Sequence, residues 1–234
     1  MPQKLTGLIL AGGLGTRMRP FTESMPKCLI PVNGRPFLDI QLELLAKNNV
    51  GRIVLSTGYL GHKIEDYLNS HGTYGVDVDV CHEKEELGTG GALLHALPLL
   101  PEEFFLSYGD SYLLQPFMPI HGAFKKSGKS ALMTVMRQAE GTSENNCSIG
   151  NGLVTHYAKG QPHGTFDCME YGLIFFKKSA LTNYKLGKSP TGRIFSDLIG
   201  KKELAAFVTH EKYFETGSPQ GLAIFERYLR MLGP

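Results

Sequence analysis

The chain has 234 residues, 42% of them hydrophobic and 20% charged, with 24 Lys+Arg against 22 Asp+Glu and a net charge of +2. That make-up is ordinary for a globular protein with a large core, and it excludes a global field for gathering nucleic acid or anionic membrane, so any cationic site must be local. The cysteines Cys28, Cys81, Cys147 and Cys168 form no C-x-x-C pair, which argues against a structural zinc and for reduced thiols. Met1-Pro2-Gln3-Lys4 leads straight into an apolar run, and no run approaches membrane-spanning length; the expected location is the cytoplasm, with neither nucleic acid nor membrane as partner.

Leu8-Ile9-Leu10-Ala11 is short, unbroken and followed at once by turn residues, the pattern of a buried strand in a parallel sheet. Gly12, Gly13 and Gly15 come next and let backbone N–H groups approach an anion, while Arg17, Arg19 and Lys27 bring fixed cations to the same loop. Pro36 serves as a first helical residue; Leu38, Leu42 and Leu45 mark one face of a helix through Lys47, with Asn48-Asn49 as its stop. A strand at 52–56 and a short helix carrying Ile64 and Leu68 follow. Val76, Val78 and Val80 alternate with Asp77 and Asp79, which predicts a half-exposed or edge strand whose aspartates face solvent.

Glu83 to Ala92 is a second glycine-bearing loop, opening a helix with Leu93, Leu94 and Leu97; Gly88, Gly90 and Gly91 would let a flat base lie against backbone. The strand Phe104 to Tyr108 then delivers Gly109-Asp110 at its carboxyl end, where open α/β sheets bind ligands. After a strand at 131–136 the pattern changes: segments 145–158 and 166–176 are short strands around a Gly150-Asn151-Gly152 turn, an antiparallel excursion. A helix from Ile194 to Lys201 precedes a last helix with Leu222, Phe225, Leu229 and Leu232, which closes the domain and is a candidate homodimer face. The alternation of strands and helices predicts an α/β fold, a Rossmann-like doubly wound mixed sheet in a single domain over 1–234. The eight histidines show no ligand spacing and are expected to be structural or exposed.

Two glycine motifs fail on this loop. The dinucleotide fingerprint needs glycine where Met18 stands, and a Walker A loop needs a Lys-Ser or Lys-Thr pair after its last glycine; the later Gly128-Lys129-Ser130 has Ala123 in place of the first glycine. The longer stretch AGGLGTRMRPFTESMPKCLIPVNGRP instead resembles the AGG-x-GTR-L-x-P-x-T-x-x-x-PK-x-L-x-PV signature of the sugar-1-phosphate nucleotidyltransferases, with Met18 for the usual leucine. The resemblance implies a fold like that of the GT-A glycosyltransferases, with 1–136 mainly for nucleotide and 137–234 mainly for sugar phosphate. It assigns nucleotide binding to Leu10, Ala11, Gly12, Gly13, Gly15, Thr16 and Arg17, with Arg17 on the departing pyrophosphate and Lys27 on the reacting phosphates. Glu83, Gly88 and Thr89 fall in the corresponding base loop, whose LGTGGA is similar to the guanylyl- and uridylyltransferase form; EKEELGTGGAL is especially similar to the heptose-1-phosphate guanylyltransferases.

YGDSY resembles the family's metal motif, which makes Asp110 a Mg²⁺ ligand; Tyr112 stands where a glycosyltransferase D-x-D would have its second aspartate. Phe214-Glu215-Thr216-Gly217-Ser218-Pro219 matches the late D-x-G-[TS]-P element, with Glu215 replacing the second metal aspartate. Ala158-Lys159-Gly160 stands for the usual E-K-P, giving Lys159 to the sugar phosphate, with a plain surface lysine as the alternative. Met169-Glu170-Tyr171-Gly172-Leu173 is similar to the sugar-contacting strand, so Tyr108, Glu170 and Gly172 join Lys159. The implied reaction joins a nucleoside triphosphate, GTP favoured, to a mannose or heptose 1-phosphate by direct displacement with Mg²⁺. Cytidylyl or uridylyl transfer, a glycosyltransferase, and a non-catalytic nucleotide or sugar-phosphate sensor are the alternatives.

Overall fold

The computed structural model describes residues 4–137, 145–159 and 166–233. The chain opens with β1 (Leu5–Leu10) and a long loop ending in a small hairpin, β2 (Pro31–Val32) and β3 (Arg35–Pro36). Next come α1 (Phe37–Lys47), β4 (Val50–Thr57), α2 (Gly61–Ser70), β5 (Asp77–His82), α3 (Gly88–Ala96), β6 (Glu103–Tyr108) and β7 (Ser111–Leu113). Then follow α4 (Phe117–Ser127), β8 (Ala131–Arg137), β9 (Cys147–Gly150), β10 (Leu153–Tyr157) and β11 (Cys168–Lys177). The last elements are α5 (Thr191–Gly200), β12 (Leu204–Thr209), β13 (Tyr213–Glu215) and α6 (Pro219–Leu232).

One nine-stranded sheet runs in the order β5-β4-β1-β6-β11-β8-β12-β10-β9. β5, β4, β1 and β6 are mutually parallel, β11 is antiparallel to both β6 and β8, and β12 is parallel to β8. The central strands read as continuous apolar runs because helices cover both faces. Leu38, Leu42 and Leu45 of α1, Ile64 of α2 and Phe117, Ile120 and Phe124 of α4 fill one side. Leu93 and Ala96 of α3 with Ile194, Phe195 and Leu198 of α5 fill the other. This is the doubly wound mixed sheet that the strand and helix rhythm predicts.

β5 is an edge strand, as its alternation implies, but Asp79 is not merely solvated: it accepts from Arg52 Nε at 2.8 Å and Nη2 at 2.5 Å on the neighbouring strand. Asn151 and Gly152, both at positive φ (51° and 75°), turn β9 into β10 as a tight hairpin. The antiparallel strands do not stand apart from the sheet: β11 inserts between β6 and β8, and β10 pairs with β12. Sequence reading misses the short strands β2, β3 and β7, and also the longer elements α4 and β12. α4 contains Pro119 and Gly122, which argue against a helix, yet Pro119 lies in the first turn, where a missing N–H costs no helical bond. β12 carries Ala205-Ala206, poor strand formers, and is held by a six-residue parallel register with β8.

A third, small core joins the end of the chain to its beginning. Phe225 of α6, fully buried, meets Phe37 edge-on at 5.9 Å, Tyr112 at 4.8 Å and Phe214 at 5.3 Å between ring centroids. Ser218 caps α6 by accepting from Gly221 N at 3.1 Å. Among the described residues no helix is long and apolar enough to cross a membrane. Phe225→Ala should cost about 3–5 kcal/mol of stability through the cavity left among these rings, read as a lower denaturant midpoint at unchanged slope; a shift of less than about 1 kcal/mol would show that this core does not anchor α6.

Candidate active site

A cavity of about 290 Å³ opens at the carboxyl ends of β1 and β6. One wall is the first loop: Leu10, Ala11, Gly12, Gly13 and Gly15, with Lys27 and Cys28 beyond it. The other is the loop opening α3, through Glu83, Glu86, Gly88, Thr89 and Ala92, and the floor is the Tyr108-Gly109-Asp110 turn. A Cβ on Gly12 would come within 2.7 Å of Glu83 Oε1 and 3.2 Å of Gly58 N, so the first loop passes its neighbours backbone to backbone. Gly15 takes φ +60°, and its carbonyl accepts from the Thr22 hydroxyl at 2.9 Å, which holds the loop in shape. Gly13 faces open space. Thr16 begins a 3-10 turn and is not part of the cavity wall; Arg17, in the same turn, points outward to Glu215.

Where the first loop meets the Asp110 turn, charge of both signs gathers. Lys27 Nζ pairs with Asp110 Oδ2, and Arg17 Nη2 lies 3.8 Å from Glu215 Oε2. What brings the two pairs together is the segment after β13. β13 pairs with β7 so that Glu215 lies opposite Ser111, and the Thr216 amide donates to the Asp110 carbonyl at 2.8 Å. Gly217 then sits against the charged tips: a Cβ there would meet Asp110 Oδ2 at 2.7 Å, Lys27 Nζ at 2.8 Å and Arg17 Nη2 at 3.0 Å. Only glycine lets the backbone approach this closely. The sequence reading quoted Gly217 within a motif but assigned it no role.

A second unassigned residue is Gln41. It stands on the apolar face of α1 among Leu38, Leu42 and Leu45, is 3% exposed, and donates its amide to the carbonyls of Tyr108 at 2.8 Å and Ser111 at 3.1 Å. These carbonyls flank Asp110, so Gln41 fixes the turn from below. A polar residue interrupting a helical apolar stripe is the signal that would have found it.

Tyr108, on the cavity floor, leads to a buried cluster beside it. Glu170 is 9% exposed, and both its carboxylate oxygens are taken: Tyr108 OH donates to Oε1 at 2.6 Å and Tyr157 OH to Oε2 at 2.7 Å. These bonds satisfy the partner that a buried carboxylate demands. Burial and the adjacent Glu170 charge push both phenols well above their ordinary range, so they stay protonated donors. Gly172, at φ +90°, lies where the register of β11 with β8 breaks, and a Cβ there would lie 3.5 Å from the Tyr108 ring. Lys159 Nζ sits 5.7 Å from the centre of the same ring. Lys159, Tyr108, Glu170 and Gly172 thus form one neighbourhood; Gly160 and His163 lie outside the described residues.

In the α3 loop, Gly88 and Thr89 face the cavity, whereas Gly90 and Gly91 do not. Their amides donate to the Ser189 carbonyl at 2.8 and 3.1 Å, so these glycines receive a protein segment and not a flat base. Glu83 is 8% exposed and accepts from Ser56 Oγ at 2.9 Å and from the Leu87 amide at 3.3 Å. Cys28, at the cavity wall, is pushed up to about 12 by burial and stays a neutral thiol. Among the described residues, no three or more His, Cys, Asp or Glu gather as metal ligands.

Residues 6–160 match the family model described as nucleotidyl transferase. The chain is 27% identical over 241 residues to the mannose-1-phosphate guanylyltransferase catalytic subunit beta of Xenopus tropicalis, covering 98% of this chain and 67% of that one. It is 33% identical over 108 residues to the D-glycero-alpha-D-manno-heptose 1-phosphate guanylyltransferase of Campylobacter jejuni, covering 46% of this chain and 48% of that protein, so the match spans about half the length of that relative. The crystal structure of HddC from Yersinia pseudotuberculosis superposes with a TM-score of 0.83 at 26% identity, covering 96% of this chain and 99% of that one. The family model covers well over half of the chain, which belongs to the nucleotidyl transferase family.

Proposed function

We propose that this chain transfers a nucleotidyl group from a nucleoside triphosphate to a sugar 1-phosphate, releasing pyrophosphate and forming a nucleoside diphosphate sugar. The observation that carries this reading is the convergence of Arg17, Lys27, Asp110 and Glu215 around Gly217, at the end of a glycine loop whose Gly13 faces open space. A sugar phosphate is already an anionic nucleophile, so its oxygen needs no strong base to attack the α-phosphorus. The new P–O bond forms as the bond to the β-phosphate bridge breaks, and pyrophosphate leaves with that electron pair. The obstacle is anion–anion repulsion and alignment. Lys27 and Arg17 offset the first; the backbone of the first loop, clamped at Gly12 and Gly15, supplies the second.

Asp110 and Glu215 are two carboxylates on elements that pair side by side, an oxygen donor set that fits Mg²⁺ when phosphate oxygens and water complete its shell. Bound there, the ion supplies further charge neutralisation on the phosphates. Glutamate at 215 is one methylene longer than the family's usual aspartate, and Ser218 Oγ donates to its Oε1 at 3.2 Å, which orients it.

Guanine suits the base side. Glu83 is an acceptor-only carboxylate with lone pairs beyond those given to Ser56 and Leu87, and guanine offers two adjacent donors, N1–H and the exocyclic amine. Lys159, set over Tyr108, is placed for the sugar phosphate. The names of the relatives support GTP with a mannose or heptose 1-phosphate.

Pyrophosphate release should be measured across GTP, CTP, UTP, dTTP and ATP against mannose, glucose and heptose 1-phosphates, with and without Mg²⁺. Signal with GTP that vanishes without metal is expected. Turnover of a finished nucleotide sugar without pyrophosphate release would favour a glycosyltransferase, and tight nucleotide binding with no turnover a sensor. Arg17→Ala and Lys27→Ala should each lower kcat about 10²-fold; near-normal rates in both would refute their roles. Gly217→Ala should keep its melting temperature, because only flexible side-chain tips must move, yet lose turnover by at least about tenfold, because those tips are the reacting-end charges.

A further inference from the structure

Three strands meet at the residue that precedes β9. Cys147, the first residue of β9, stands opposite Tyr157 of β10 on one side and Cys168 of β11 on the other. Asn146 carries both pairings one residue further: its amide donates to the Cys168 carbonyl at 3.0 Å, and its carbonyl accepts from the Ala158 amide at 2.9 Å. The side chain adds a third bond. Asn146 Oδ1 accepts from the Glu170 amide at 2.9 Å.

Each partner leads to the neighbourhood around Tyr108. Ala158 is followed at once by Lys159, whose ammonium stands by the Tyr108 ring, and Glu170 is the carboxylate held by the Tyr108 and Tyr157 phenols. β11 is weakly fixed where Glu170 stands. Its pairing with β9 is the single pair Cys147 and Cys168, and its register with β8 breaks between Glu170 and Ile174, where Gly172 takes φ +90°. Main-chain pairing therefore stops short of Glu170 on the β9 side, and the Asn146 side chain supplies the acceptor that the strand lacks there. The preceding residue anchors the entry to β11 as well, since Asn145 Nδ2 donates to the Phe166 carbonyl at 3.0 Å.

We propose that Asn146 is a positioning residue for the sugar phosphate: its carbonyl fixes the strand end that carries Lys159, and its side chain fixes the backbone of Glu170, so that cation and carboxylate keep one separation. Asn146 does not line the cavity and acts through these two residues. The role rests on the reading of Lys159 and Glu170 as the sugar-phosphate end. Leucine at 146 is close in shape but has no oxygen for the Glu170 amide; aspartate keeps that oxygen.

The test compares wild type, Asn146→Leu and Asn146→Asp, with Lys159→Ala and Glu170→Gln alongside, on the nucleotide and sugar phosphate that wild type turns over. It measures kcat, both KM values, the melting temperature, and nucleotide affinity by calorimetry. Asn146→Leu is expected to raise the sugar-phosphate KM about fivefold or more, with nucleotide affinity within about twofold. Asn146→Asp should stay within about threefold of wild type in both KM values. Should the leucine variant not fold, Asn146→Ala, which removes the oxygen and adds no bulk, must raise the same KM. An unchanged sugar-phosphate KM would overturn the role, as would an aspartate variant as impaired as the leucine one, or nucleotide affinity falling in step with the sugar-phosphate KM. If neither Lys159→Ala nor Glu170→Gln raises the sugar-phosphate KM, the reading of that end fails and the role falls with it. If both raise it while Asn146→Leu does not, the positioning role alone is overturned.

Discussion

The site depends on how one four-residue turn, Tyr108 to Ser111, is held. Its two middle residues, Gly109 and Asp110, lie between β6 and β7 and outside both strands, and three separate elements hold them. Gln41 donates to the carbonyls on either side of Asp110, the Gly109 amide donates to the Leu10 carbonyl at 2.9 Å, and the Thr216 amide donates to the Asp110 carbonyl. Each bond is local and modest, about 1 kcal/mol in net stability. Their joint effect is geometric: the Asp110 carboxylate keeps its place beside Lys27 only if its backbone cannot drift.

That clamp joins distant parts of the chain. The segment carrying Glu215 and Gly217 comes some hundred residues after Asp110, and it reaches the site because β13 pairs with β7 while α6 packs Phe225 against Phe37 and Tyr112. Packing at the periphery therefore sets electrostatics at the centre. Two cations and two carboxylates within one small region nearly neutralise one another, which lets the cluster exist in the protein and still rearrange around a polyanionic ligand.

The α3 side of the cavity follows the same economy of contact. Glycines in the α3 loop receive the segment 187–191, so the wall that carries Gly88 and Thr89 is backed by main chain from a second place in the sequence. Beside the Tyr108 turn, a buried carboxylate, Glu170, is held by two phenols in a region of low exposure where each bond is strengthened and each vacancy is costly. The shape of the cavity then resides less in single side chains than in how these loops are pinned.

The doubly wound sheet was legible in the sequence because buried parallel strands must be apolar on both faces and helices must show one apolar stripe; these are local constraints written in local residues. The first loop was legible for a related reason, since close backbone approach and fixed positive charge demand glycine, arginine and lysine at set spacings. α4 and β12 were hidden because neighbours, not intrinsic preference, hold Pro119, Gly122 and Ala205-Ala206 in regular structure. Gln41, Gly217 and Thr191 were hidden for a deeper reason: each acts on residues tens of positions away or more, and nothing in its own surroundings in the chain records that distance. The residue types present, and so the chemistry available, were determined by sequence alone; which carbonyls Gln41 meets, which charges Gly217 admits and which hydroxyl Thr191 meets were decided by tertiary structure, because hydrogen bonds and close contacts act over about 3 Å of space whatever the separation along the chain.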